Sequence, residues 1–214
     1  MVPTILLVPS SVMLVPGATG RTDVAHDERR AVVAELRSAL AAAHTRASRT
    51  TGRTGVRVVV VAPAPVSGVR TTDDGVPDLG AHGLERGALP GDVQLRQVRD
   101  GTVEELDVML HTAASVVTVL LRRAGWNGPI RSVEVGGSPG EPGAGRTAPQ
   151  PIDADMLLSS DDGAHRFLVF TTVSGLPEEP SGRAVPSGIS DLLRRADRTV
   201  SEVYRSVCAS TTTG

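Results

Sequence analysis

Four consecutive valines, Val58 to Val61, lie in a run that starts at Val56 and is broken by Pro63 and Pro65; no other feature constrains the fold of this chain as much. Successive side chains of a strand point to opposite faces, so a strand that is apolar at every position must be covered on both sides. That describes an internal strand of a parallel sheet, and parallel neighbours require crossover connections, which are usually helices.

The rest of the chain supplies such connections. From Asp23 to His44 the apolar positions Val32, Val33, Leu36, Leu40 and Ala43 recur at helical spacing, with Asp23, Asp27 and Glu28 where a helix N-terminus favours negative charge. Arg46 to Gly55 is polar and reads as a loop. Thr102-Val-Glu-Glu105 has the form of a capping box, followed by a helical stripe of Leu106, Leu110, Ala113, Val117, Leu120 and Ala124 that Gly125 ends. Strands are expected at Arg131 to Val135 and at Arg166 to Val173. A final helix, about Ser187 to Val207, buries Ile189, Leu192, Leu193, Ala196, Val200, Val203 and Val207. Between these, residues 66–101 read as irregular, with turn signals at Asp73-Asp74-Gly75 and Leu89-Pro90-Gly91 and a short strand at Val93 to Val98. Gly136 to Pro151, rich in Gly and Pro, reads as a mobile surface loop. The expected fold class is α/β, a single domain with a largely parallel or mixed central sheet flanked by helices. It spans residues 1–208, with 209–214 as a disordered tail.

Composition removes several functions. All 22 positive charges are arginine, so a Schiff-base lysine, a P-loop lysine and the Tyr/Lys pair of short-chain dehydrogenases are excluded. A net charge of −2 and only two Phe, one Trp and one Tyr offer neither the field nor the stacking surface for nucleic acid. Cys208 is the single cysteine and has no partner for a disulfide or thiolate metal site. The uncharged N-terminal stretch lacks a basic n-region and is interrupted by Pro3, Pro9 and Pro16, so it reads as a strand and not as a signal peptide. No run approaches the roughly 20 apolar residues that span a bilayer. A cytoplasmic protein without a membrane partner is expected.

Four segments carry a family resemblance: VPSSVMLVPG at residues 8–17, Arg57 to Pro65, LLRRAGWNGPIRSVEV at residues 120–135 and FLVFTTVSG at residues 167–175. Together they resemble the class III extradiol ring-cleaving dioxygenases, in a divergent branch of the superfamily formed around their catalytic chain. The resemblance implies an iron-binding histidine in the loop after the first strand and an acid/base histidine after a later one. Here the first loop offers Ser10 and Ser11, and the second reads Ser174-Gly-Leu-Pro-Glu-Glu-Pro180. The resemblance therefore implies a descendant without catalytic or metal-ligating residues and without a cofactor, serving to bind a small molecule or a protein partner.

Two alternatives stay open. A non-haem iron site needs two imidazoles and a carboxylate on one face of the metal. Of the five histidines, His26 and His44 lie on the first helix, His111 beside an apolar stripe, and His165 at the wrong end of a strand. Only His82 is expected near the ligand-binding ends of the strands, where Asp73 or Asp74 and a glutamate of the Glu178/Glu179 loop would have to join it to hold iron in a rearranged enzyme. The candidate pocket is therefore Ser10, Ser11, Asp73, Asp74, His82 and Ser174. The second alternative is nucleotide or dinucleotide binding by Gly17-Ala-Thr-Gly-Arg21, a glycine-bearing strand-to-helix turn of the kind that holds a pyrophosphate. Asp23 stands at its third glycine position, and the next β-run, at Val56, comes late for a compact dinucleotide unit. The final helix, with Arg194, Arg195, Arg198 and Arg205, either closes the core or forms an interaction arm, and the core role is expected.

Overall fold

The computed structural model describes residues 3–18, 23–51, 55–65, 68–82, 84, 109–136, 157, 164–172, 198 and 200–209. Strands β1 (Thr4–Pro9), β7 (His165–Thr172), β2 (Val56–Pro63) and β6 (Ile130–Val135) run parallel in that spatial order, and β3 (Val69–Asp73) closes the far edge antiparallel to β6. A second, two-stranded parallel sheet pairs β4 (Val76–Pro77) with β5 (Met109–Leu110). This is the expected α/β domain with a mixed central sheet.

The valine run makes β2 the central strand, and its period of two divides the core. Val58, Val60 and Ala62 pack with Ile130, Phe167 and Val169 beneath α1 (His26–Thr51) and α2 (Thr112–Arg123). Val59 and Val61 point the other way and join Val133, Val135, Leu168 and Phe170 beneath Leu157 and α3, the helical residues 200–209. Helices therefore cover both faces, and each buried valine contributes about 1.5 kcal/mol or more.

Helix α1 buries Leu36, Leu40, Ala43 and Ala47 and exposes most of its other positions. It continues to Thr51, which corrects the loop expected from Arg46: Arg46, Ser48 and Arg49 face solvent while Ala47 extends the stripe by one turn. Helix α2 is buried at every position from Ala113 to Leu121, between sheet and α1. It starts at Thr112, later than the apolar stripe implies, because Met109 and Leu110 pair with Val76 and Pro77 as strand. The capping box at 102–105 lies outside the described residues, as do the strand expected at 93–98, the turn at 89–91 and all of the 136–151 loop after Gly136.

The end of α2 matches its sequence signal. Gly125 has φ +96°; its amide donates to Arg122 O (3.0 Å) and the Trp126 amide donates to Leu121 O (3.1 Å), the two bonds of a Schellman motif. Arg122 ties the following turn by donating to Trp126 O and Gly128 O at 3.0 and 2.7 Å. The helix-turn-strand that precedes β6 is thus fixed locally. In α3, Val200, Val203 and Val207 are buried in the second core cluster, so the described part of this helix is core.

Candidate functional site

The parallel strands end at Pro9, Pro63, Val135 and Thr172, and this edge is where open α/β sheets bind ligands. Its chemistry centres on Glu134, the penultimate residue of β6, which is fully buried. Alternation along β6 sends Val133 and Val135 to the α3 face and Glu134 to the α2 face. There Glu134 Oε1 accepts the His111 amide at 2.6 Å. Its Oε2 lies 3.2 Å from Arg70 Nε and 3.2 Å from His111 Nδ1, both close polar contacts that fall outside hydrogen-bond alignment.

Each of these neighbours is placed by a different element. Arg70 is opposite Glu134 in the antiparallel β3–β6 register, and it also donates to Thr72 Oγ1 (3.4 Å) and to Met109 O. His111 is the N-cap of α2, so the carboxylate sits where the unpaired amides of a helix favour negative charge. The Arg70 and His111 side chains are 29 and 30 % exposed, so they connect the buried acid to solvent. The arrangement is a buried acid with its charge offset by a guanidinium and a polar rim at a helix N-terminus, suited to holding a small polar group.

The residues singled out from sequence divide between two ends of the sheet. Ser10 is buried directly after β1, and Ser11 is the N-cap of the 3-10 turn Val12–Leu14, with its carbonyl accepting the Leu14 amide at 3.0 Å. His82, in the turn Gly80–His82, is exposed and lies 3.2 Å through Nε2 from Thr112 Oγ1, one residue from His111. Gly17 (φ +86°) lies beside Leu84, where an added Cβ would be 3.8 Å from Leu84 Cδ2. The β1 loop and the 79–84 segment therefore approach the same side of the molecule.

Asp73 and Asp74 do not. A place after a parallel strand would put them at the ligand-binding edge, but β3 runs antiparallel and carries them to the opposite end, beside the start of β6. Asp73 accepts from Arg131 Nε and a terminal nitrogen at 2.7 and 3.0 Å, and the guanidinium holds its carboxyl below the usual carboxylate range. Asp74, at φ +50°, donates its amide to Ile130 O (2.8 Å) and accepts the Ile130 amide on Oδ1 (3.0 Å), bracing the turn. Three residue steps along β6 separate the levels of Asp73 and Glu134, about 10 Å. Ser174 and the Glu178/Glu179 loop lie outside the described residues, as do Gly20 and Arg21.

The remaining histidines have structural roles. His26 Nδ1 is 3.5 Å from Asp23, His44 packs its ring on Trp126 with centroids 5.8 Å apart, and His165 bonds to Thr4 Oγ1 at 2.9 Å. Among the described residues no three His, Cys, Asp or Glu side chains are grouped to hold a metal ion. Sequence reasoning missed Arg70, His111 and Glu134 as a unit. The available signal was an acid inside the otherwise apolar strand VEV, since a buried carboxylate needs a partner.

Compared with protein-family models, curated proteins and solved structures, the chain has no significant match.

Proposed function

We propose that this chain is a non-catalytic member of the class III extradiol dioxygenase-like fold that binds a small molecule or a protein partner at the edge formed by Ser10, Ser11, His82, His111 and Glu134. The observation that carries the reading is the state of Glu134. A carboxylate that ligates iron needs two neighbouring imidazoles and an open approach, whereas the fully buried Glu134 has one imidazole, His111, at 3.2 Å and is otherwise faced by a guanidinium at 3.2 Å and an amide at 2.6 Å. A cation at that carboxylate would be repelled by Arg70, and the β1 loop supplies hydroxyls in place of an imidazole. The described residues therefore do not fit an iron centre. Partly exposed Arg70 and His111 offer hydrogen-bond donors to a ligand instead.

A cytoplasmic location belongs to the same reading. Among the described residues no helix is long and apolar enough to cross a membrane, and the lone cysteine is compatible with a reducing compartment.

Metal analysis of protein purified without chelators, with oxygen uptake measured on simple catechols, tests the proposal. The expected result is iron and zinc far below stoichiometry and no uptake. Stoichiometric metal that disappears in Glu134→Gln or His82→Ala would overturn it and restore the enzyme reading.

A further inference from the structure

The two edges of the central sheet differ in how they are protected. In the order β1-β7-β2-β6-β3, β1 and β3 each have a neighbour on one side only among the described residues, so each presents a row of unpaired backbone amides and carbonyls. Sheets discourage pairing with other chains by placing charges on such edges. β3 follows this rule: Arg70 and Asp73 stand on it, each in an ion pair. β1, Thr-Ile-Leu-Leu-Val-Pro, has no charged side chain, and none occurs from Val2 to Ala18. Ile5 packs on the α3-side core and Leu6 and Val8 on the opposite one, whereas Leu7 is 47 % exposed.

What fits this edge is a strand that is itself uncharged and unpaired along one side. Among the described strands β2, β6 and β7 are internal, β3 is charged, and β4 and β5 have two residues each. That leaves β1 of a second copy. Pro3 and Pro9 lack amide hydrogens and limit pairing to Thr4–Val8, with Leu6 at the centre. An antiparallel pair about a two-fold axis at Leu6 sets Thr4 opposite Val8 and each exposed Leu7 opposite the partner's Ile5. Arg46 donates to Thr4 Oγ1 at 3.3 Å. In the antiparallel pair the two Thr4 positions, and Arg46 with them, are about 14 Å apart, beyond the screening length of about 8 Å. A parallel pair would set the two guanidinium groups side by side. We propose that this chain forms a two-fold homodimer in which β1 pairs antiparallel with β1 of a second copy, joining the two five-stranded sheets into one.

Sedimentation equilibrium on the full chain reads the association. Five paired residues make a small interface, so a dissociation constant of about 10 to 100 μM is expected. Leu7→Lys places a charge against the partner's apolar strand from a half-exposed position, and should weaken association at least about tenfold with an unchanged circular dichroism spectrum. Val69→Lys, at the 38 % exposed position on the other edge, should leave it unchanged. A cross-link reads the register independently. Residues directly opposite in an antiparallel pair have Cα atoms about 4.5 to 5.5 Å apart, within disulfide reach, so Leu6→Cys on a Cys208→Ser background should form a disulfide-linked dimer with an added oxidant. A chain that stays monomeric up to about 500 μM would overturn the proposal. So would a dimer that persists in folded Leu7→Lys or is lost in folded Val69→Lys, or a Leu6→Cys chain that does not cross-link.

Discussion

Arg70 and Glu134 are cross-strand partners on β3 and β6, with Nε 3.2 Å from Oε2 and the acid wholly buried. Their mutual attraction offsets the desolvation of the carboxylate, and the balance depends on both members being present. Arg70→Met is expected to destabilise the fold by about 3 kcal/mol, because it leaves a buried acid opposed only by His111. Glu134→Gln placed on that background keeps an acceptor for the His111 amide while removing the charge, and should recover most of the loss. Urea denaturation of the four proteins in a double-mutant cycle gives the coupling.

His165 sets a pH dependence. Burial, the charge of Arg46 and the chain's amino terminus hold its imidazole below the ordinary value of 6.5. The folded state therefore takes up this proton at lower pH than the unfolded chain does. The His165 contribution to stability is complete above pH 6.5 and declines as pH falls through 6.5 toward the folded-state value, at a rate of at most about 1.4 kcal/mol per pH unit. His165→Gln retains a partner for Thr4 Oγ1 and should remove this component. Thermal midpoints of the two proteins compared between neutral and mildly acidic pH test it; parallel curves would contradict the assignment.

Adjacent aspartates should behave differently. Asp73 is 64 % exposed and its pair with Arg131 is screened by solvent, so Asp73→Asn is expected to cost less than about 1 kcal/mol, and less still in high salt. Asp74 holds a positive φ and accepts a backbone amide on its side chain. Asp74→Ala loses that bond and places alanine in the left-handed region, for about 2 kcal/mol. Denaturant midpoints at low and high salt separate the two.

The last helix is expected to be indispensable. Val200, Val203 and Val207 cover Val59, Val61 and Phe170, and Tyr204 packs edge-on to Phe170 with ring centroids 5.3 Å apart. Val207→Ala should cost about 2 kcal/mol, and a chain ending at Gly188 should lose cooperative unfolding altogether. A truncated chain that melts as sharply as the full one would show that the α3 face does not need this cover.

Whatever depends on short-range pattern is legible along the chain. The valine run makes β2 central and two-faced, the 3.6-residue stripe places Leu36, Leu40 and Ala43 inward, and Gly125 ends α2 with the two bonds a left-handed residue allows. Even the Asp73-Asp74-Gly75 turn can be read, because its residue types favour a turn, although the Ile130 backbone that braces it comes from a distant segment. Where chemistry collects is settled by long-range pairing. Whether Asp73 lies at one end of the sheet or the other depends on β3 pairing antiparallel to β6, and that register also brings Arg70 to Glu134. His111 joins them only because α2 begins at Thr112 and not earlier, which follows from Met109 and Leu110 pairing with Val76 and Pro77. Such pairings join segments far apart in the chain through backbone hydrogen bonds common to every residue type, so no local side-chain pattern specifies the partner strand.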